Sequence, residues 1–271
     1  MADLRRHIRE QPEIAMDSAL TVQGRVIFAL MMHQVHTMHA ESKLGYLWEV
    51  FEVGWRIAFF WVIRSLVGFR PPHGMPLVLF LLLGFGVYQM FRSTVIKCMR
   101  VKSGKMMVFP QIKKLDFFIS ITIVVWATEI VAGVFIMLIG VGMGVKVHVS
   151  SWGGLFFMLL VTPVLGFGMG TLLESLSLIY PSLDKIVPLV LRFGMLLSGV
   201  FYSVAGFPSW VMRYLWYNPF LQLIEIGRSS MSLGYDAMDY SYAYILCVAG
   251  ATLSLGLLME RYVRKGKGAR R

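Results

Sequence analysis

Residues 147–173 read VHVSSWGGLFFMLLVTPVLGFGMGTLL, 27 positions without a carboxylate, lysine or arginine. A helix of roughly 20 such residues crosses the ~30 Å hydrocarbon core of a bilayer, so this stretch places the chain in a membrane. Residues 71–91, 193–212 and 240–259 are equally free of charge. Residues 117–145 are broken only by Glu129, and residues 48–66 are apolar and aromatic but carry Glu49, Glu52, Arg56 and Arg64. The expectation is an all-α membrane protein with six transmembrane helices.

Composition agrees. Hydrophobic residues make up 57% of the 271 positions and charged residues 15%, against about 25% charged in soluble domains. The formal charge of +11 would suggest nucleic acid in a soluble chain. Here it reads as topology, because loops on the cytoplasmic side collect Lys and Arg. With the N-terminus inside, nineteen of the 26 basic residues fall on the cytoplasmic side, and only Arg70, Lys146, Arg213 and Arg228 fall outside. Both termini are therefore expected in the cytoplasm. Residues 1–19 are polar and the apolar run at 26–32 is short, so a cleaved signal is not expected.

Three segments depart from a simple span. Residues 20–44 predict an imperfectly amphipathic interfacial helix, with Ile27, Phe28, Met31, Val35 and Met38 in one sector and Arg25, His33, His36 and Thr37 in another. Residues 97–114 form a basic loop long enough for a short helix. Residues 205–239 carry too much apolar surface for a solvated loop, including Phe207, Trp210, Trp216 and Phe220. Two short helices dipping back into the membrane, broken at Asn218-Pro219, are expected there. A polar tail (1–19) and a basic tail (263–271) flank a single membrane domain over 20–262.

Chemistry by this chain alone has little support. There is no G-x-x-x-x-G-K-[ST] phosphate loop, G-x-S-x-G or H-E-x-x-H, so ATP hydrolysis by a phosphate loop is excluded and no cofactor is expected. An intramembrane enzyme built from dispersed residues is the remaining enzymatic alternative. His33, His36 and His39 recur every three residues, but the third drifts about 240° from the first, so a polar face is expected and no metal site. Cys98 and Cys247 sit in apolar stretches and read as inert packing residues. Charges within spans are costly and mark function by default. Glu52 and Arg56 stand at i, i+4 beside Trp48, Trp55 and Phe59, a charged and aromatic stripe suited to sugar rings. Glu129, Glu174 and Arg192 are expected to pair across helices, with pathway lining as the alternative, and Arg64 to reach the outer interface. Gly140-x-x-x-Gly144 and Gly166-x-x-x-Gly170 permit close helix approach, within one chain or between two.

The order of several blocks is specific: Lys43-Leu44-Gly45-Tyr46-Leu47-Trp48, then Tyr180-Pro181-Ser182-Leu183-Asp184-Lys185, then Leu197-Ser198-Gly199-Val200-Phe201-Tyr202, then Asn218-Pro219 and Glu225-x-x-Arg228. Over residues 20–262 the chain resembles the membrane subunit of ABC-2 type polysaccharide exporters, most nearly the capsular polysaccharide export permeases of Gram-negative bacteria. Glu52-Val53 departs from that pattern, in which a proline often follows the acidic residue.

The resemblance implies the ABC-2 (type V exporter) transmembrane domain, in the inner membrane, as a homodimer with two copies of a separate cytoplasmic ATPase that binds ATP and Mg. It implies export of a lipid-linked acidic polysaccharide, with periplasmic and outer-membrane export proteins as further partners. It implies a coupling helix within residues 98–110, with Arg100, Lys102, Ser103, Lys105 and Met106 docking on the ATPase. The first and fifth spans would line the pathway, placing Trp48, Glu52, Trp55, Arg56 and Phe59 opposite Arg192, Phe193, Leu196 and Tyr202. Trp210, Tyr214, Trp216 and Tyr217 would frame the exit. Alternatives are an O-antigen or teichoic-acid exporter of the same fold, and a drug or lipid exporter, against which the short outer segments argue.

Overall fold

The computed structural model describes residues 19–41, 45–68, 75–101, 113–204, 207–232, 234–235 and 237–268, with side chains in the first two segments described from 21 to 36 and from 51 onward. All elements among them are helices: α1 (Ala19–Glu41), α2 (Gly45–Leu66), α3 (Leu77–Met99), α4 (Lys114–Gly142), α5 (Trp152–Ser177), α6 (Leu183–Leu197), α7 (Ser209–Leu215), α8 (Pro219–Ser230) and α9 (Tyr242–Gly268).

Four of these, α3, α4, α5 and α9, are long and apolar enough to cross a membrane. The stretch at 48–66 forms one continuous helix, α2, but its four charges separate it from the other four. The expected span over 193–212 is displaced. Its helix begins ten residues earlier, through Asp184 and Lys185, and ends at Leu197, so α6 has only 15 residues. Gly199, at φ 73°, takes the left-handed conformation that ends the helix and turns the chain, where a further helical turn would have needed a negative φ. Absence of charge located apolar surface there, not helix.

Local signals explain most boundaries. The Ser151 hydroxyl accepts from the Gly154 amide at the start of α5, and Asn218 accepts from the amides of Phe220 and Leu221 while Pro219 takes the first position of α8. Lys113 donates its amide to the Asp116 carboxylate at 2.9 Å, which also sets a negative charge at the α4 N-terminus. Inside the helices Thr94, Thr122, Thr162 and Thr171 return their hydroxyl protons to carbonyls one turn back. No water is needed to satisfy them in an apolar medium.

The core is built around α3, which buries most of its side chains from Leu79 to Cys98. The second small-residue motif works within the chain: a Cβ at Gly166 would lie 2.9 Å from that of Thr94, and one at Gly170 3.0 Å from that of Cys98. These pairs sit four residues apart on both helices, so α5 lies flush against α3. At Gly140 the nearest atom would be 3.7 Å away, and no such crossing forms. α5 meets α9 even more closely, backbone to backbone at Gly168 and Gly256.

α1 packs along α4, with Gln23 bonded to Asp116 and Gln34 to Ser120. Its contacting face centres on Ile27, Leu30, Met31 and Gln34, and Phe28, expected in that sector, turns outward. Those polar bonds, not the apolar sum, set the rotation of the helix. Of the two cysteines, Cys98 is buried and Cys247 lies exposed on the outer face of α9.

The expected break at Asn218-Pro219 is present between α7 and α8. α7 stays on the surface with no buried side chain. α8 enters the bundle, with every residue from Leu221 to Arg228 buried.

Candidate functional site

Where α2 crosses α3 and α4, a pocket of about 210 Å³ opens among Glu52, Arg56, Gln89, Arg92, Ser93, Lys97, Arg100, Thr128 and Glu129. The helical period explains its polar wall. Gln89, Arg92, Ser93, Ile96, Lys97 and Arg100 fall within roughly 140° of arc on α3, so one face of that helix turns polar just as its apolar run ends.

From α2, Arg56 bridges Glu52 at 3.1 Å and donates to the Gln89 side-chain oxygen at 2.8 Å. Gln89 in turn donates to Ser93 at 3.0 Å. Arg92 approaches the same Gln89 oxygen at 3.5 Å, and its buried Nε has no hydrogen-bond acceptor. Arg92 also feels the charges of Arg56, Arg192 and Glu52. Four cations and two carboxylates therefore line the pocket, and Lys97 and Arg100 sit at the α3 C-terminus, where the helix dipole favours positive charge. The excess is positive, and an entering anion would be stabilised in a partly desolvated setting.

Beside Glu52 and Arg56, a ridge of Phe51, Trp55 and Phe59 stands exposed at i, i+4, i+8, with Trp55 and Phe59 ring centroids 6.5 Å apart. Trp48 is on the same helix, but its side chain lies outside the described residues. On α6, Arg192, Phe193 (61% exposed) and Leu196 also face away from the bundle, and only Val187 and Leu191 are buried.

Tyr202 does not join that exposed face. Its hydroxyl donates to the Leu197 carbonyl at 3.0 Å, and its ring meets Phe207 at 5.2 Å. The turn after α6 is held by arginines: Arg64 donates to the Phe201 carbonyl, while Arg228 donates to those of Val200 and Tyr202. Arg64 therefore caps a turn. Trp210, Tyr214 and Tyr217 are exposed around α7, whereas Trp216 turns inward and stacks on Tyr244 at 4.9 Å. Of the expected coupling residues, Arg100 is exposed at the end of α3; Lys102, Ser103, Lys105 and Met106 lie outside the described residues.

One expected pairing is present and one expected charge placement is corrected. Glu174 pairs across helices, with Lys114 at the start of α4. Arg228, expected among outer loop residues, is fully buried on α8 and bridges Glu225 at 3.2 Å. Glu225 also accepts from Tyr235 at 3.0 Å and from the Met238 amide at 3.3 Å. Burial pushes the Tyr235 hydroxyl up to about 12, so it keeps the proton it donates.

Sequence reading missed Gln89, Arg92 and Ser93 as pocket residues, and held Glu129 as a lining residue only as the alternative to pairing. Ending the second span at its first charge put Arg92 and Lys97 in a loop. The i, i+3, i+4, i+8, i+11 spacing of Gln89, Arg92, Ser93, Lys97 and Arg100 was the signal for one continuing helix with a polar face.

Four long apolar helices, of which α3, α5 and α9 pack on a buried helix that does not itself span, define a multi-pass helical membrane protein. No protein-family profile matches the chain. Polysialic acid transport protein KpsM of Escherichia coli is 22% identical over 250 residues, covering 90% of this chain and 95% of that protein. Capsule polysaccharide export inner-membrane protein CtrC of Neisseria meningitidis serogroup B is 23% identical over 257 residues, covering 92% and 94%. Capsule polysaccharide export inner-membrane protein BexB of Haemophilus influenzae is 22% identical over 255 residues, again 92% and 94%. The chain is thus a homologue, along nearly its whole length, of capsule polysaccharide export inner-membrane proteins, as the blocks at 43–48 and 180–228 imply.

Proposed function

We propose that this chain is the membrane-spanning permease subunit of an ABC transporter that carries a lipid-linked acidic capsular polysaccharide across the inner membrane, powered by ATP hydrolysis in two copies of a separate cytoplasmic subunit. The observation that carries this reading is the basic pocket of Arg56, Arg92, Lys97 and Arg100 lying beside the exposed Phe51, Trp55 and Phe59 ridge. Aromatic faces pack on the C–H faces of sugars, and guanidinium groups neutralise carboxylates or phosphates during passage. The end-to-end similarity to capsule export proteins supports the same reading.

The dimer follows from what one chain leaves open. α2 and α6 expose their aromatic and apolar faces, and with them the membrane domain reaches six spans; two copies facing each other enclose a pathway between these faces. Both termini lie in the cytoplasm, by the bias of basic residues.

Transmission runs along α3. The helix begins in the core, carries Gln89 and Arg92 into the pocket and ends at Met99, inside the basic segment of residues 97–114. A displacement of that loop by the closing ATPase pair would reach the pocket walls through one rigid element. The pair Lys102→Glu with Lys105→Glu is expected to abolish co-purification of the ATPase while leaving the permease in the membrane. Retained assembly with retained stimulated hydrolysis would refute the coupling assignment.

A further inference from the structure

On the outside of the bundle, away from the basic pocket, α4, α5 and α9 enclose a groove of about 510 Å³. Its walls run from Leu115 to Trp126 on α4, with Phe167 on α5 and Leu253 and Leu257 on α9. Thr122 is the one hydroxyl residue along it, and that hydroxyl is already bonded to the Phe118 carbonyl. Eleven residues of helix rise about 16 Å, close to half of a ~30 Å hydrocarbon core, so the groove is one leaflet deep.

Its shape is built by two sequence features. Pro163 in α5 has no amide proton, and the carbonyl it orphans, that of Leu159, is taken by the Trp126 indole N–H at 2.9 Å. Trp126 is thereby pinned at the groove's deep end. Gly168 and Gly256 bring α5 and α9 into backbone contact, so these two helices form one wall and α4 the other.

The shallow end is basic. Lys113, exposed, lies two residues before Leu115. Arg261 follows Leu257 by one turn and Arg264 by two, both exposed, with Tyr262 between them at an interface position. The carboxylates described at this end are buried and each has a partner: Glu260 lies 3.8 Å from Arg264, Asp116 accepts from Gln23 and the Lys113 amide, and Glu174 bridges Lys114. An apolar slot one leaflet deep, ending in a collar of cations, matches an acyl chain joined to an anionic headgroup.

We propose that this groove is a fixed site for one acyl chain of an anionic phospholipid, its phosphate held by Lys113, Arg261 and Arg264. The assignment is independent of what the protein exports. The groove residues belong to a face separate from Arg56 and the α2 ridge, so the lipid is a resident one and not cargo.

The test is native mass spectrometry of the full-length protein released from detergent after titration with an equimolar mixture of phosphatidylglycerol and phosphatidylcholine. The expected result is one retained lipid per chain with about tenfold preference for phosphatidylglycerol. Leu253→Trp, which fills the slot, should remove the retained lipid. Lys113→Gln with Arg261→Gln, both on exposed side chains, should weaken the preference and leave folding intact. Equal retention of the two lipids, or a preference unchanged in the charge variant, overturns the proposal. So does conversion of dimers to monomers by Leu253→Trp, which would assign the groove to a second copy of the chain.

Discussion

The Arg228 guanidinium lies over the Phe80 ring, 3.5 Å from its centroid, and donates to the carbonyl of the same residue at 3.3 Å. With Glu225 and the carbonyls of Val200 and Tyr202 it joins α3, the turn after α6 and α8 at one point. A cation without exposed surface is tolerable there because almost every donor is matched and an aromatic face covers it.

Removing one partner should therefore be severe. Arg228→Met leaves the Glu225 carboxylate buried, a loss of about 3–5 kcal/mol. Arg228→Met with Glu225→Gln should recover part of it. Thermal melting of the detergent-purified variants checks this; a single variant as stable as the wild type would show that the pair does not hold α8 in place.

The Trp126–Leu159 bond predicts a dependence on Pro163. Trp126→Phe orphans a half-buried carbonyl in an apolar setting and should cost about 1–3 kcal/mol. In a Pro163→Ala background the helix supplies its own amide to Leu159, and the same substitution should cost less. A double-mutant cycle by thermal or denaturant melting gives the coupling, and a coupling of zero would remove Trp126 from this role.

Packing at the α3–α5 crossing predicts a contrast between two glycines. Gly166→Ala places a methyl 2.9 Å from the Thr94 Cβ and should destabilise by about 1–3 kcal/mol through overpacking. Gly140→Ala meets nothing closer than 3.7 Å and should change melting by no more than about 0.5 kcal/mol. Equal effects would mean that α5 does not seat on α3 through this motif.

Export should respond to the pocket and ridge separately. Arg92→Gln and Arg56→Ala remove cations and should reduce surface capsule with normal membrane levels of the protein. Trp55→Ala removes a ridge ring that is 61% exposed, so a loss of export at normal membrane levels would report on passage and not on folding. Wild-type export in all three would sink the pathway assignment.

The class of fold was legible because a bilayer imposes a crude and strong rule: charge-free stretches of span length. The rule failed where its premise did. At 193–212 apolar residues cover a helix end, a glycine turn and a surface helix, since burial by neighbours serves as well as burial in a span. At 71–91 the rule cut α3 short, since Arg92 and Lys97 are carried on a helix that continues into the pocket. The aromatic and charged stripe of α2 was readable from its period alone, but Gln89, Arg92 and Ser93 became its partners only through the crossing of α2 and α3.

Hydropathy, helical period and a few capping residues, all local properties of the chain, determined that this is an all-helical membrane protein, where α8 begins and which residues of α2 share a face. Tertiary structure decided the pairing of charges. Lys114 meets Glu174 and Arg228 meets Phe80 across 60 and 148 residues respectively, and no local pattern specifies a partner at such separations. The physical reason is that an ion buried in an apolar medium is set by whichever groups the packing of glycines and aromatic rings brings within reach.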